Sequence, residues 1–125
     1  MAGEKILIID DEEDILLISQ MSLRKVGGFE VVTALGGEEG LEKAVRERPD
    51  LIVMDVMMPG LDGPATLKRL KALPETAETP VVFLTAKTQR NEVERLKNLG
   101  AADVLTKPFD PISLPGRIRE LLPVR

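Results

Sequence analysis

The residues able to do chemistry stand at the ends of apolar runs. Ile6–Ile9 is followed by Asp10-Asp11, and Leu51–Met54 by Asp55. Val81–Leu84 is followed by Thr85, and Val104–Leu105 by Thr106-Lys107-Pro108. Brought together, the three carboxylates would repel; two of them ~4 Å apart at an effective dielectric of about 20 cost about 4 kcal/mol. A hard divalent cation, Mg²⁺ or Mn²⁺, offsets that cost, because it takes oxygen ligands from carboxylates while keeping several waters. The compact ammonium of Lys107 suits a phosphoryl oxygen, and the Thr85 hydroxyl can donate to the same group. A nucleophilic carboxylate beside a metal and an ammonium is the equipment for phosphoryl transfer to an aspartate. Taken singly, these residues have ordinary explanations: Asp10, Asp14 and Asp62 as turn or cap residues, Thr85 as a strand or cap residue, Lys107 as a solvated charge. Asp55 alone admits either reading. The joint placement of Asp10, Asp11, Asp55, Thr85 and Lys107 at successive strand ends carries the chemical one.

That convergence requires an architecture in which the apolar runs are parallel strands ending on one edge. The runs at Ile6, Leu51 and Val81 are nearly continuous Ile/Leu/Val, as in central parallel strands covered on both faces. Phe29–Ala34, broken by Glu30 and Thr33, and the short Val104–Leu105 have the mixed character of edge strands. Helical patterns lie between. Asp14–Val26 is stopped by Gly27-Gly28, Glu38–Glu47 ends before Pro49, and Pro64–Leu73 ends before Pro74. Thr88–Leu99 is closed by Gly100. The last pattern, Pro111–Leu122, contains Pro115, which cannot supply an interior helix hydrogen bond and so moves the helix start toward itself. Five βα units predict an α/β fold with right-handed crossovers, a flavodoxin-like (βα)5 sandwich whose order 2-1-3-4-5 puts the two mixed runs at the edges. Function in such sheets sits at the carboxyl ends of the strands.

Composition narrows the classes. A chain of 125 residues makes a single domain, 1–125. A net charge of -4 offers no electrostatic footprint for nucleic acid or an anionic membrane surface. With no Cys there is no disulfide or thiolate site, and with no His there is no imidazole base or ligand. No apolar run approaches a membrane span, and Met1–Lys5 lacks a signal-peptide layout, so a cytoplasmic location is expected.

The pieces Ile8-Ile9-Asp10-Asp11-Glu12, Asp55 through Gly63 (DVMMPGLDG), Leu84-Thr85-Ala86 and Lys107-Pro108-Phe109 occur in order at the expected strand ends. In them the chain resembles the receiver domain of two-component response regulators over essentially its whole length. The resemblance implies that Asp55 is the phosphoacceptor, supplied by a sensor histidine kinase or phosphotransfer protein, and that a downstream target or output domain reads the result. It implies Mg²⁺ or Mn²⁺ held directly by Asp11, Asp55 and the backbone carbonyl of Met57, and through water by Asp10. Lys107, before a peptide bond that is usually cis in the family, would contact the phosphoryl group, and Thr85 would move toward it. The face of the fourth helix, fifth strand and fifth helix, where Arg90, Arg95, Lys97, Arg117 and Arg119 are expected, is the candidate surface for partner binding or for a homodimer. The chain departs from the family at the aromatic switch position, which holds Val104; Met57 and Lys87 occupy positions that in the family tune phosphate lifetime.

Other readings fit less well. A flavin phosphate wants a neutral loop after the first strand, and Asp10-Asp11-Glu12-Glu13-Asp14 would repel it. A haloacid-dehalogenase-type phosphatase would want a second acid where Met57 stands. The acidic run lacks the spacing and glycine of a calcium loop, and no GxGxxG or Walker pattern is present. A phosphate-independent interaction module would be expected to have lost some of the five site residues, and all five are present.

Overall fold

The structure, a computed structural model, describes residues 3–123. Five strands, β1 (Lys5–Asp10), β2 (Glu30–Leu35), β3 (Leu51–Asp55), β4 (Val81–Thr85) and β5 (Asp103–Thr106), alternate with α1 (Glu13–Met21), α2 (Gly37–Glu47), α3 (Gly63–Ala72), α4 (Arg90–Asn98) and α5 (Leu114–Leu121). All strand pairs are parallel, in the order β2-β1-β3-β4-β5. The expected architecture is the observed one. β3 and β4 are buried throughout and β1 all but at Lys5, whereas β2 and β5 are half-open edges, as their mixed sequences foretold.

The sheet divides the core. One layer joins Leu7, Ile9, Met54, Phe83 and Leu96, with Val104 packed at its margin. The other joins Ile6, Ile8, Leu23, Phe29, Leu84 and Ile118. Alternation along each strand sends neighbouring residues to opposite layers, which fixes register and therefore which residues finish the strands side by side.

Boundaries differ from expectation in three places. The first helix does not run as one α-helix to Val26; Ser22–Val26 is a π-helical turn, a wider coil that inserts one residue into the helix. Helix α4 starts at Arg90 rather than Thr88, because Gln89 before it is extended. Helix α5 starts at Leu114 with Pro115 in its first turn, where a missing N–H costs nothing. At the start of α3, the Asp62 carboxylate caps the helix by accepting from Ala65 N–H at 2.9 Å. Asp62 thus has the structural role assigned to it singly, and exposed Asp14 sits in the first turn of α1, facing the helix dipole favourably. Gly63 lets α3 press on the end of β3: a Cβ there would stand 2.5 Å from the Asp55 carbonyl oxygen and 2.8 Å from the Phe83 ring.

Candidate functional site

The strands extend one residue beyond their apolar runs, so Asp10, Asp55, Thr85 and Thr106 are themselves the last strand residues. In the β1–β3 pairing Ile9 stands opposite Met54, so the residues that follow, Asp10 and Asp55, leave the sheet as neighbours. Thr85 pairs with Thr106, and the next residue, Lys107, donates its N–H to the Thr85 carbonyl at 2.8 Å.

The Lys107 side chain then crosses the carboxyl edge of the sheet. Its Nζ lies 3.0 Å from Asp10 Oδ2, 3.3 Å from Asp55 Oδ1 and 3.7 Å from Glu12 Oε1. The side chains of Lys107, Asp10 and Asp55 are 13%, 1% and 8% exposed, so the solvated-lysine alternative does not hold. The other Asp10 oxygen accepts the Glu12 N–H at 2.9 Å, which is the turn role considered for Asp10 alone. Asp10 therefore serves as both a turn former and a member of the site. Thr85, also buried, accepts the Lys87 N–H on its hydroxyl oxygen at 3.0 Å and keeps its own proton to donate.

Burial raises the Asp55 pKa above the ordinary carboxylate range, and repulsion from Asp10 and Asp11 adds to it against the opposing pull of Lys107. Burial works to lower the Lys107 pKa, but Asp10 and Asp55 outweigh it and hold the ammonium above its usual value. One carboxylate oxygen from each of Asp10, Asp11, Glu12 and Asp55 falls within 4.8 Å of the others. An all-oxygen donor set offset, among the described residues, by the Lys107 ammonium alone suits a hard divalent ion such as Mg²⁺. Glu12 is the member to which sequence reasoning assigned no role; its one signal was its place in the acidic run before α1. Met57 follows β3 and is 66% exposed. The Lys107–Pro108 bond is cis, as the resemblance implied.

Of the cations expected on the face of α4, β5 and α5, Lys97 and Arg117 meet at Asp103 of β5, at 3.5 and 2.9 Å. Arg90 and Arg95 pair within α4 with Glu94 and Glu92. Arg119 does not share this face. It stacks over the Phe29 ring at 4.5 Å and donates to the Gly27 carbonyl at 2.6 Å, because α5 packs in the same layer as Leu23 and Phe29.

Comparison with known proteins agrees with this geometry. Residues 6–119 match the profile of the response regulator receiver domain. The alkaline phosphatase synthesis transcriptional regulatory protein PhoP of Bacillus subtilis is 43% identical over 96% of this chain and 49% of its own length. The response regulator PleD of Caulobacter vibrioides is 40% identical over 94% of this chain and 26% of its own. The chain thus spans about half or less of these curated relatives. The chemotaxis protein CheY4 of Vibrio cholerae superposes with a TM-score of 0.90 at 34% identity, covering 97% of this chain and 100% of that one. The receiver domain of the Pseudomonas aeruginosa sensor histidine kinase PA1611, solved with a magnesium ion in its active-site cleft, superposes with a TM-score of 0.85 at 28% identity over 96% of this chain and 98% of that one. With the profile covering most of the sequence and the strand order, acidic cluster and lysine all in place, the chain belongs to the response regulator receiver domain family of two-component signalling.

Proposed function

We propose that Asp55 accepts a phosphoryl group from a phosphohistidine of a sensor kinase or phosphotransfer protein, and that residues 1–125 form one receiver domain. The observation that carries the reading is the Lys107 ammonium placed between the Asp10 and Asp55 carboxylates at 3.0 and 3.3 Å. In the transfer, an Asp55 carboxylate oxygen attacks phosphorus, the bond from phosphorus to the donor nitrogen breaks, and the imidazole leaves carrying a proton. Lys107 has donors to follow the phosphoryl oxygens as their charge grows, and Thr85 offers a hydroxyl to the same group. Asp10, Asp11, Asp55 and the Met57 carbonyl are the proposed holders of Mg²⁺ or Mn²⁺, with Glu12 at the rim. When bound, the ion neutralises the clustered carboxylates and the charge on the phosphoryl oxygens. The same groups support phosphorylation from small acyl phosphates and hydrolysis of the aspartyl phosphate without a separate enzyme.

The phosphorylated state is proposed to signal to a downstream target or output domain. The face of α4, β5 and α5, with Arg90, Arg95, Lys97 and Arg117, is the proposed contact for a second copy. The family and the net charge of -4 support a cytoplasmic role without direct contact to nucleic acid or membrane. Among the described residues no helix is long and apolar enough to cross a membrane.

Incubation with acetyl phosphate and Mg²⁺, followed by intact mass measurement, should show one added phosphate, which excess chelator prevents. An Asp55→Ala variant that gains the same mass overturns the assignment.

A further inference from the structure

The segment that carries Lys107 is held at a point well away from the carboxylates. We propose that Ser22 is a positioning residue for Lys107: its hydroxyl ties the β5–α5 loop to the end of the first helix and keeps the ammonium in register with Asp10 and Asp55. The proposal rests on the phosphoryl-transfer reading above.

The loop runs from Lys107 to the start of α5 at Leu114. Its near end is fixed by the Lys107 N–H on the Thr85 carbonyl at 2.8 Å, and Phe109 packs against the core layer beneath α5. Beyond that the bonds are internal. Ile112 N–H donates to the Asp110 carboxylate at 2.9 Å, and Leu114 N–H donates to the Asp110 carbonyl at 3.0 Å. Among the described residues, the one hydrogen bond joining 108–113 to an element other than α5, which follows it directly, runs from the Ser22 hydroxyl to the Pro111 carbonyl.

Two neighbouring serines show that this bond is a choice of geometry. A serine inside a helix ordinarily bonds back to the carbonyl four residues earlier, and Ser19 does so, donating to Ile15 at 2.5 Å. Ser22 is equally buried, but it opens the π-helical turn, in which Gly27 N–H reaches back five residues to the Ser22 carbonyl at 3.2 Å. Its side chain turns away from its own helix and donates to the loop at Pro111. An open groove of about 310 Å³, lined by Ile18, Met21, Lys25 and Val26, adjoins Ser22 and Pro111. Without the hydroxyl, water from this groove can satisfy the Pro111 carbonyl, and the loop loses its tether. Small displacements of a positioned group reduce transfer rates steeply.

The test compares Ser22→Ala, Ser22→Cys and Ser19→Ala with the parent, each first shown folded by circular dichroism. Cysteine fills the serine space with a weak donor. With acetyl phosphate and Mg²⁺, both Ser22 variants should gain phosphate on Asp55 about five-fold more slowly, the rate equivalent of one neutral hydrogen bond. The Lys107 and Ile112 amides should exchange faster with solvent, and Ser19→Ala should match the parent. Parent-like rates in either Ser22 variant, or equal slowing in Ser19→Ala, overturn the positioning role alone. If the parent itself takes no phosphate on Asp55, the phosphoryl-transfer reading fails and the role falls with it.

Discussion

Lys107 Nζ stands 3.3 Å from Asp55 Oδ1, so the proposed nucleophile is engaged by the same cation that is proposed to follow the phosphoryl oxygens. The pair is close enough to attract, yet the Asp55 pKa remains above the ordinary range, because burial and the Asp10 charge together exceed what Lys107 returns. The site is therefore a place of tension in the resting fold, and its consequences are measurable.

The first concerns stability and its pH dependence. A carboxyl whose folded pKa lies above its unfolded value binds its proton more tightly in the fold. Ionised Asp55 thus destabilises the metal-free protein above its folded pKa, and the penalty fades as pH falls toward the ordinary carboxylate range. Asp55→Asn should raise the unfolding free energy at neutral pH by on the order of 1 kcal/mol. The gain should shrink at about pH 4. Urea titrations in chelator, followed by circular dichroism because the chain has no Trp or Tyr, provide the measurement. A gain that grows on acidification contradicts the sign.

A second consequence concerns the cation. Lys107 reaches three carboxylates from a side chain only 13% exposed. A planar guanidinium is broader and presents a rigid fork in place of a compact ammonium. Lys107→Arg should therefore keep the fold but lose most of the response to a beryllofluoride phosphate mimic, read as backbone chemical-shift changes. An Arg variant that responds as the parent does would show the compact head to be unimportant.

The third concerns how phosphorylation is reported. At the family's aromatic switch position stands Val104, half-buried at the margin of the layer containing Phe83 and Leu96. Valine is stiff at its first torsion and too short to sweep between buried and exposed sites. The bulky ring nearby, Phe83, pairs in register with Val104 but is itself fully buried in β4. The response should travel instead through the exposed loop Ala86–Gln89, whose Lys87 N–H is held by the Thr85 hydroxyl oxygen. A turn of Thr85 toward the phosphate mimic would break that bond. Val104→Ala should keep the chemical-shift response to beryllofluoride from residue 85 onward, and Thr85→Ala should blunt it. The opposite pattern would mean that the switch runs through β5.

Much of this was legible in the sequence because the governing patterns are local. The apolar runs at Ile6, Leu51 and Val81 demand burial on both faces, and Gly27, Pro49, Pro74 and Gly100 delimit helices, so five βα units follow. Strand ends follow from them, and with the strand ends come Asp10, Asp11, Asp55, Thr85 and Lys107. Tertiary structure decided what depends on distance between remote segments. Nothing local says that Lys107 would lie nearer Asp10 than Asp55, that Glu12 would join the carboxylate group, or that Arg119 would turn from α4 to stack on Phe29. The π-helical turn was equally hidden: its residues, Ser22–Val26, read as ordinary helix. Its wider coil becomes meaningful only where Ser22 meets the carbonyl of Pro111, a contact between residues 89 positions apart in the chain. Hydrophobic periodicity is a property of neighbours along the sequence, and it fixes elements and faces. The pairing of single polar groups across the fold is set by how those faces come to rest on one another, and only the packed molecule contains that information.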